Sequence, residues 1–352
     1  MNDVFENPGS GWTDGAGPEP DIVIASRVRL ARNLSGLPLP HQGFNGADEQ
    51  VFLKCRDMID SFGGMKYNFF VMSELSDIDR QMLVEKHLIS SELAVSPAWR
   101  AVIIREDESV SVMVNEEDHL RIQCLLPGLR MMEAWRIASQ VDDELEKELK
   151  FAFDPAFGYL TACPTNVGTG LRVSVMLHLA ALEATKQLPH IFNNLSRLGF
   201  VVRGMYGEGS KAYGSLYQIS NQVTLGVSEE ELIERLFQAV NKLIGDERTA
   251  RAKLREAVAP EIFDDVWRSY ALLKNARLLT KNELMERLSY LRSGINMGII
   301  NTLTAKDINE LMIMGQTAYL QKNSPAPLNN EQMLWERASM VRKRLPLVLE
   351  DR

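Results

Sequence analysis

One short stretch of the sequence combines residue types that could act on a positively charged substrate. "NEEDH" (115–119) places Glu116, Glu117 and Asp118 in a pattern typical of a tight turn. Carboxylates this close together repel one another, so the turn favours a bound cation or a cationic substrate. One of the glutamates could then accept a proton from a nitrogen atom of that substrate. The alternative interpretation is a solvated β-turn without a ligand.

A second reactive stretch is "CPTNVGTG" (163–170), which begins at a cysteine and continues into a glycine-rich loop. The loop is suited to a phosphate, but it is not a P-loop of the G-x-x-x-x-G-K-[ST] type and contains no lysine. A thiolate at Cys163 would add an anionic contact to a bound cation, which would in turn lower its pKa. The alternative for Cys163 is a buried, inert thiol. Glu208 lies between two glycines in "YGEGS" (206–210) and is a further carboxylate that could hold a planar guanidinium.

Several arginines in polar or glycine-rich settings could hold a polyphosphate in place of a P-loop. Planar guanidinium groups bind phosphate oxygens bidentately and would also neutralise charge on a transferring phosphoryl group. Arg27 and Arg29 are two residues apart, so in a strand their side chains lie on the same face. The alternative is a set of solvated or ion-paired surface arginines, since convergence in space cannot be read from sequence. The candidates are Arg27, Arg29, Arg121, Arg172 and Arg203.

The composition limits the class of protein. A chain of 352 residues with 45% hydrophobic and 24% charged residues is typical of a soluble globular protein, and a net charge of −8 argues against a general nucleic-acid binder. Three widely spaced cysteines form neither a disulfide framework nor a C-x-x-C site, which fits a reducing cytoplasm. The histidines lack metal-site spacing, so no protein-ligated metal is expected. A signal peptide and a membrane-spanning run are both missing from the sequence, so we expect a cytoplasmic protein without a membrane partner.

The elements that must position these residues are predicted from the apolar pattern. Three short β-branched runs, 100–107, 109–116 and 119–126, are separated by acidic turns and predict an antiparallel meander. Apolar residues at helical spacing predict a helix over about 129–150 and another over about 181–198. Strands and helices are mixed with mostly antiparallel pairing, which indicates an α+β fold.

Composition also divides the chain into three parts. Residues 1–20 are polar, acidic and rich in glycine and proline, which predicts a flexible leader. Residues 21–256 contain the predicted strands and the reactive stretches, and they form the expected catalytic domain. Residues 257–352 show only helical patterns and predict an all-helical C-terminal domain. The apolar stripes of its helices predict a homodimer.

Taken together, these stretches resemble the phosphagen (guanidino) kinases, and most closely the bacterial protein arginine kinases of the McsB family. The resemblance implies a curved antiparallel sheet flanked by helices, with a helical C-terminal domain for dimerisation and regulation. It implies ATP and Mg²⁺ as cofactors and transfer of the γ-phosphoryl group to arginine guanidinium groups of protein substrates. The matching stretches are "SRVRLARNL" (26–34), "VEKHLIS" (84–90), "VNEEDHLRI" (114–122), "CPTNVGTGLRVSVMLHL" (163–179), "VRGMYGEGS" (202–210) and "YQISNQ" (217–222).

The resemblance also implies roles for individual residues. Glu117 would be the catalytic base, Glu208 the second carboxylate that clamps the guanidinium, and Cys163 a thiolate that contacts it. No residue would bind the metal directly, although Glu116 could reach Mg²⁺ through water. Contacts with ATP are implied for Arg27, Val28, Arg29, Leu30, Ala31, His87, Arg121, Arg172, Val173, Ser174, Val175, Met176, Arg203, Gly204, Met205, Tyr206, Gly207 and Glu208.

Two departures from the family pattern bear on substrate and regulation. Small-molecule guanidino kinases carry a helical domain before the "SRVR" strand, whereas here only residues 1–20 precede it. We therefore expect a guanidinium site open enough for an arginine on a protein. The family's phosphoarginine-sensing motif reads R-D-x-x-R-A. The corresponding "MLWERA" (333–338) keeps Arg337 and Ala338 but not the first two residues, so a regulatory phosphoarginine pocket is only partly matched.

The resemblance further implies a role in stress response and protein quality control. The implied partners are a zinc-binding activator protein, a heat-shock repressor and a Clp-type unfoldase. Two other functions remain open at this stage. The chain could be a kinase for a free guanidino metabolite, or a non-catalytic adaptor or repressor-binding module built on the same fold.

Overall fold

The structure is a computed structural model that describes residues 3–40, 46–59, 65–95, 98–204, 213–257 and 259–347. Short 3-10 helices at 3–5, 11–14, 72–74 and 164–166 accompany the longer elements. The strands are β1 (Val23–Arg32), β2 (Tyr67–Val71), β3 (Ala101–Arg105), β4 (Val110–Val114), β5 (Leu120–Pro127), β6 (Phe153–Asp154), β7 (Gly158–Tyr159), β8 (Leu171–His178), β9 (Phe200–Gly204) and β10 (Leu216–Asn221). The helices are α1 (Ala47–Met58), α2 (Asp77–Glu85), α3 (Ser91–Ala94), α4 (Met131–Glu146), α5 (Ala180–Ala184), α6 (Leu188–Arg197), α7 (Glu229–Ala257), α8 (Ala259–Asn275), α9 (Lys281–Asn296), α10 (Ala305–Met314), α11 (Thr317–Lys322) and α12 (Asn330–Arg344).

Eight strands form one sheet in the order β2-β3-β4-β5-β1-β8-β10-β9, and every pairing between neighbours is antiparallel. The predicted meander corresponds to β3, β4 and β5, and the α+β prediction with an antiparallel sheet is confirmed. The strand β1 lies in the middle of the sheet between β5 and β8. Because the first strand of the sequence pairs with two distant strands, residues far apart in sequence become neighbours.

The two faces of the central strands have different environments. Arg29 lies opposite Gln123 on one neighbour and Arg172 on the other, and directly opposite residues point to the same face. The alternate residues, such as Val28 and Val173, point the other way and are fully buried in a core formed with α1, α4 and α7. One face is therefore the hydrophobic core, and the other carries the arginines.

The helical region covers part of the arginine-bearing face. Ala25, Leu125 and Met176 continue the same face of β1, β5 and β8 and belong to an apolar cluster with helices α8 to α12. The carboxylate of Glu85, the last residue of α2, accepts a hydrogen bond of 3.0 Å from Ala318 N at the start of α11. The helical region thus covers one end of this face and leaves the arginine end open.

The N-terminal segment differs from its prediction as a flexible leader over 1–20. Trp12 is fully buried, and its Nε1 donates a 3.0 Å hydrogen bond to the carbonyl of Lys86. Lys86 Nζ in turn donates to Val4 O at 2.9 Å. A polar, glycine-rich composition does not show that one tryptophan anchors the segment between other elements. Residues 3–20 are therefore packed against the rest of the structure, and residues 1–2 lie outside the described part.

The helix predicted over 181–198 is two helices in the structure. Lys186 lies between α5 and α6 with a φ of +58°, a left-handed conformation that interrupts a right-handed helix. Pro189 then occupies the first turn of α6, where its missing N–H costs no hydrogen bond because N–H groups there have no intrahelical acceptor. The apolar periodicity continues through this break, which is why the pattern predicts a single helix.

The predicted boundary at 256/257 coincides with the end of α7, and α8 begins at Ala259. The division into separate domains stays a prediction. None of the helices in the described part of the chain has both the length and the apolar composition that a bilayer crossing requires.

Candidate active site

A cavity of about 450 Å³ opens on the arginine-bearing face of the sheet. Strands β1, β5, β8 and β9 each place an arginine in its wall, and the loop after β7 adds the predicted thiol. The wall includes Arg29, Ala31, Glu117, Arg121, Cys163, Thr165, Gly170, Arg172, Arg203, Asn221 and Thr224. Strand pairing thus brings together residues that are more than 170 positions apart in the sequence, such as Arg29 and Arg203.

The arginines of the cavity repel one another. Arg29 lies directly opposite Arg172. Arg121 lies opposite Ala31, which is two residues further along β1 than Arg29 and points to the same face. Burial lowers the pKa of Arg29 well below its usual range, and the charges of Arg27, Arg121 and Arg172 lower it further. A cluster of this kind is unfavourable when empty and gains most from a polyanion.

Arg27 and His87 lie beside this cavity, next to a small gap also lined by Ser174 and Met176. Arg27 Nη2 donates a 2.9 Å hydrogen bond to Gln218 Oε1, and burial lowers its pKa to about 10. His87 has a φ of +60°, and burial lowers its pKa to about 3, with the charge of Arg27 acting in the same direction. His87 is therefore neutral at physiological pH and adds no charge to the arginine cluster.

Glu117 is the carboxylate of the "NEEDH" turn that faces the cavity. Its Oε2 accepts a 2.8 Å hydrogen bond from Arg121 Nη2, while its side chain remains 43% exposed. Partial burial raises the pKa of Glu117; Arg121 opposes this rise, and the nearby charges of Asp118 and Glu116 add to it. A raised pKa makes this carboxylate a better proton acceptor than an ordinary surface glutamate.

The other two carboxylates of the turn are occupied by structural contacts. Glu116 is buried and accepts hydrogen bonds from Ser90 Oγ at 2.7 Å and Arg121 Nη1 at 2.8 Å. Asp118 is fully buried and accepts from Asn33 Nδ2 and Ala162 N, both at 2.6 Å. The turn is therefore not three carboxylates open to a cation, as sequence alone suggests. Asp118 instead ties the turn to the segment just before Cys163.

Cys163 differs from the other two cysteines in its surroundings. It is half-buried in the cavity wall, with its Sγ 3.0 Å from Thr165 Oγ1. Cys55 and Cys124 are buried in the core, where burial raises the pKa of each thiol to about 12. Of the three thiols, only Cys163 is placed where it can meet a ligand in this cavity.

The glycines of "CPTNVGTG" allow the loop to pack directly on other backbone. Gly168 has a φ of +113°, and a Cβ there would clash with the carbonyl oxygen of Thr224. Gly170 has a φ of +64°, and a Cβ there would lie 2.7 Å from the carbonyl oxygen of Ala31. The glycines therefore fix the position of the loop against β1 and residue 224; they do not form a P-loop cradle.

Two residues of the site have no role in the sequence-based hypothesis. Asn221 Oδ1 accepts from Val173 N at 2.8 Å, and its Nδ2 donates to Leu171 O at 3.0 Å. Thr224 Oγ1 donates to the carbonyls of Thr165 and Val167 in the cysteine loop. Asn221 lies in the matching stretch "YQISNQ" but received no role there, and Thr224 lies outside the matching stretches, so only their tertiary contacts reveal that they shape the cavity.

Some implied ATP contacts are not supported by side-chain placement. The side chains of four residues are fully buried in the core on the opposite face and do not reach the cavity: Val28, Leu30, Val173 and Val175. Gly204 ends β9 beside Arg203. Met205, Tyr206, Gly207 and Glu208 lie outside the described residues.

Comparison with known proteins connects this cavity to a family. A model of the "ATP:guanido phosphotransferase, C-terminal catalytic domain" matches residues 50–250, and a model of the "Protein-arginine kinase McsB C-terminal domain" matches residues 259–351. Curated proteins named protein-arginine kinase match along nearly the whole chain. That of Desulforamulus reducens is 48% identical over 98% of both chains, and that of Brevibacillus brevis is 46% identical over 98% of this chain and 97% of its own. This chain belongs to the protein-arginine kinase family.

Solved structures support the fold of this protein-arginine kinase family member. A duplicated taurocyamine kinase from Schistosoma mansoni with transition-state analogue components superposes with a TM-score of 0.61 at 24% identity, covering 70% of this chain and 35% of that chain. A lombricine kinase superposes with a TM-score of 0.60 at 24% identity, covering 72% of each chain. At this identity the likeness shows the fold and nothing finer.

The partly matched regulatory motif of the protein-arginine kinase family lies in α12. Arg337 is buried, and it donates hydrogen bonds to the carbonyls of Gly315 at 2.7 Å and Leu279 at 3.0 Å. Ala338 is fully buried, whereas Met333 and Leu334 line a cavity of about 830 Å³ together with Arg337. A phosphoarginine pocket at Arg337 and Ala338 stays a prediction.

Proposed function

We propose that the arginine-lined cavity transfers the γ-phosphoryl group of ATP to the guanidinium of an arginine in a protein substrate. The chain is an ATP-dependent protein-arginine kinase, in line with its near-full-length relatives of that name. The observation that carries the site assignment is one cavity lined by four arginines, Glu117 and Cys163. Arginines that could bind phosphates therefore line the same cavity as Glu117 and Cys163, which could bind a guanidinium.

The arginines would bind and neutralise the phosphates. Arg29 and Arg172 face each other across β1 and β8, and their mutual repulsion is relieved by a polyanion between them. In phosphoryl transfer the transition state spreads negative charge over the transferring oxygens, so fixed guanidinium groups stabilise it. Because these arginines lie on paired strands, little reorganisation is needed when ATP binds.

Glu117 would orient the acceptor guanidinium and accept its proton. The attacking nitrogen forms a bond to the γ-phosphorus while the bond from phosphorus to the β–γ bridging oxygen breaks, leaving ADP. The proton that the nitrogen loses passes to Glu117. Cys163, which lines the same cavity, would contact the guanidinium as a thiolate. We propose Glu208 as the second clamping carboxylate. A positive guanidinium beside Glu117 would favour the charged form of this carboxylate, which is the form that accepts a proton.

We propose that Mg²⁺ enters this site as an ion carried by ATP. Among the described residues, no group of three or more histidine, cysteine, aspartate or glutamate side chains is arranged to hold a metal ion. Both carboxylate oxygens of Glu116 already accept hydrogen bonds, which leaves contact through water as its remaining route. When bound, Mg²⁺ would supply charge neutralisation on the phosphate oxygens.

The proposed function is tested by incubating the protein with ATP and either an unfolded arginine-containing protein or free arginine. We expect phosphoarginine on the protein, detected by mass spectrometry under conditions that spare acid-labile P–N bonds. Phosphorylation of free arginine alone would instead support a guanidino-metabolite kinase. Glu117→Gln should lower kcat by about 10²- to 10⁴-fold while ATP still binds, since only the proton acceptor is removed. Glu133→Gln, in α4, is the matched control, and an active Glu117→Gln would contradict the mechanism.

The cellular setting is proposed from the family resemblance. We place the protein in the cytoplasm, in stress response and protein quality control. The proposed partners are a zinc-binding activator, a heat-shock repressor and a Clp-type unfoldase. The proposed homodimer is supported by exposed apolar side chains on the helical region, such as Phe263 and Trp335. Light scattering that gives the mass of a monomer across micromolar concentrations would contradict the dimer.

A further inference from the structure

An exposed apolar surface lies on two segments that pack against the cysteine loop of the cavity wall. Four of its side chains are between 49% and 58% exposed, and together they define what we call the mouth patch: Phe153, Phe157, Val223 and Leu225. Exposed apolar groups placed together at a binding site commonly mark a contact surface for another molecule. The patch has no role in the phosphoryl transfer itself.

Backbone contacts connect the mouth patch to the cavity wall. Thr224 lines the cavity, and the patch residues Val223 and Leu225 are its two chain neighbours. A Cβ on Gly168 would lie 2.9 Å from the Cα of Leu225, so the cysteine loop and this segment are in direct contact.

The β6–β7 hairpin joins the same surface. Tyr159 N donates a 2.8 Å hydrogen bond to the carbonyl of Gly168, and Phe157 precedes the hairpin strand β7. The ring of Phe153 packs edge-on against Tyr159 at 5.2 Å between centroids. The patch therefore continues from the hairpin across the cysteine loop to residues 223–225.

Three of the four patch residues lie in segments that contain no charged side chain; the fourth, Phe153, is followed by Asp154 in the hairpin. In a chain in which 24% of residues are charged, residues 155–171 and 213–228 contain no aspartate, glutamate, lysine or arginine. An apolar partner that docks there would therefore bury no charged side chain of these segments. A highly charged partner would find no opposite charge in them with which to form an ion pair. This composition selects for an apolar occupant.

We propose that the mouth patch binds apolar residues that flank the target arginine in an extended, unfolded segment of the substrate protein. The inference rests on the proposed function, because it assumes that the acceptor arginine enters between Glu117 and Cys163. An arginine in that position leaves its own backbone at the cavity mouth, which brings its sequence neighbours onto the patch. Apolar side chains beside an arginine are exposed mainly in unfolded chains, so the patch selects for that class of substrate.

The test compares two unstructured peptides that each contain one arginine and differ only in its neighbours. One peptide has leucine and phenylalanine on either side, and the other has serine and asparagine. For the wild-type protein we expect kcat/KM about five- to tenfold higher for the apolar-flanked peptide, mainly through KM, since partial burial of one or two apolar side chains adds uniform binding. Equal kcat/KM for the two peptides would overturn the inference.

Variants of the patch locate the effect. Phe157→Ser combined with Leu225→Ser should abolish the preference and leave kcat/KM for the serine-flanked peptide unchanged. Leu278→Ser, an exposed leucine between α8 and α9, is the matched control and should keep the preference. A preference that survives in the patch variant would overturn the inference. The inference would also be overturned if the patch variant changed its oligomeric mass but kept the preference, because the patch would then be a contact with a second copy of the chain.

The same measurements distinguish a failure of the proposed function from a failure of the inference about the patch. If neither peptide nor any unfolded protein is phosphorylated by the wild-type protein, the proposed function fails and the patch is not the cause. If both peptides are phosphorylated equally well, the proposed function holds and the inference about the patch fails.

Discussion

Glu116, Glu117 and Asp118 are consecutive carboxylates in one turn, but each has a different environment. Asp118 is fully buried and bound by Asn33 and Ala162, and Glu116 is buried and bound by Ser90 and Arg121. Only Glu117 faces the cavity with an accessible carboxylate. The surroundings therefore distinguish Glu117 as the proposed proton acceptor, since the three groups have nearly the same intrinsic chemistry.

The raised pKa of Glu117 predicts how the rate depends on pH. Burial raises this pKa above that of an ordinary glutamate, and in the proposed mechanism Glu117 would accept a proton only when it is deprotonated. As the pH falls, kcat/KM should therefore begin to decrease at a higher pH than for an ordinary carboxylate. The measurement is a pH profile of kcat/KM with a protein substrate. A rate that stays constant down to the usual glutamate pKa would contradict the assignment.

Cys163 provides a second prediction at the residue scale. Cys163→Ser should lower kcat/KM by about ten- to hundredfold, because the variant lacks one contact of hydrogen-bond strength to a charged group. ATP binding, measured by calorimetry, should remain unchanged. The control is Cys55→Ser, which alters a buried thiol remote from the cavity and should affect stability rather than turnover. Loss of folding in Cys163→Ser would favour a structural role for this thiol.

At the scale of elements, strand register decides which residues meet. Arg29 and Arg172 lie opposite each other because β1 pairs with β8 in one specific alignment. A shift by one residue would turn the arginines into the core and the valines toward the cavity. The alternation of arginine with Val28 and Val173 therefore specifies both the core and the binding face.

The cysteine loop supports a prediction at the element scale. Gly168→Ala should lower kcat/KM and the free energy of unfolding, because its Cβ would clash with the carbonyl oxygen of Thr224. Gly36→Ala is the matched control, since Gly36 also has a positive φ, +79°, but no atom within 4 Å of its Cβ position. We expect the control to cost about 1 kcal/mol from backbone strain, and Gly168→Ala to cost more. Urea unfolding compares the two, and equal effects would contradict the role of close packing.

At the scale of the whole molecule, the N-terminal segment connects the sheet with the helical region. Trp12 donates to the carbonyl of Lys86, next to His87, and its ring lies 5.5 Å from the His87 ring. The carbonyl of Thr13 accepts a 3.2 Å hydrogen bond from Asn309 Nδ2 in α10. One short segment thus contacts both the surroundings of the candidate ATP site and the helical region.

This arrangement predicts a large effect of one substitution. Trp12→Ala should lower the free energy of unfolding by about 3–5 kcal/mol, because it leaves a cavity at a fully buried site. It should also raise KM for ATP if His87 contacts the nucleotide. Leu198→Ala is the control, since it also truncates an apolar side chain, but one that is 69% exposed, and it should have a much smaller effect. Urea unfolding measures both variants, and a similar small change in each would show that the N-terminal segment is not an anchor.

Much of the element pattern could be predicted from local sequence. The strands β3, β4 and β5 follow β-branched runs bounded by acidic turns, and Gly199 ends α6 with a φ of +82°, as a terminal glycine does. The break at Lys186 and the packed segment around Trp12 could not be predicted. In both cases the local composition favours one structure, and contacts with distant elements favour another.

The sequence by itself determined the residue types of the site, the antiparallel strands and the family, because motifs such as "NEEDH" and "CPTNVGTG" are local and specific. Only the tertiary structure decided that Glu117, and not Asp118, is accessible, that Asn221 and Thr224 shape the cavity, and that four apolar side chains of the hairpin and of residues 223–225 are exposed. The physical reason is that burial, pKa and register depend on residues far apart in the chain. Pairing of β1 with both β5 and β8 brings those residues together.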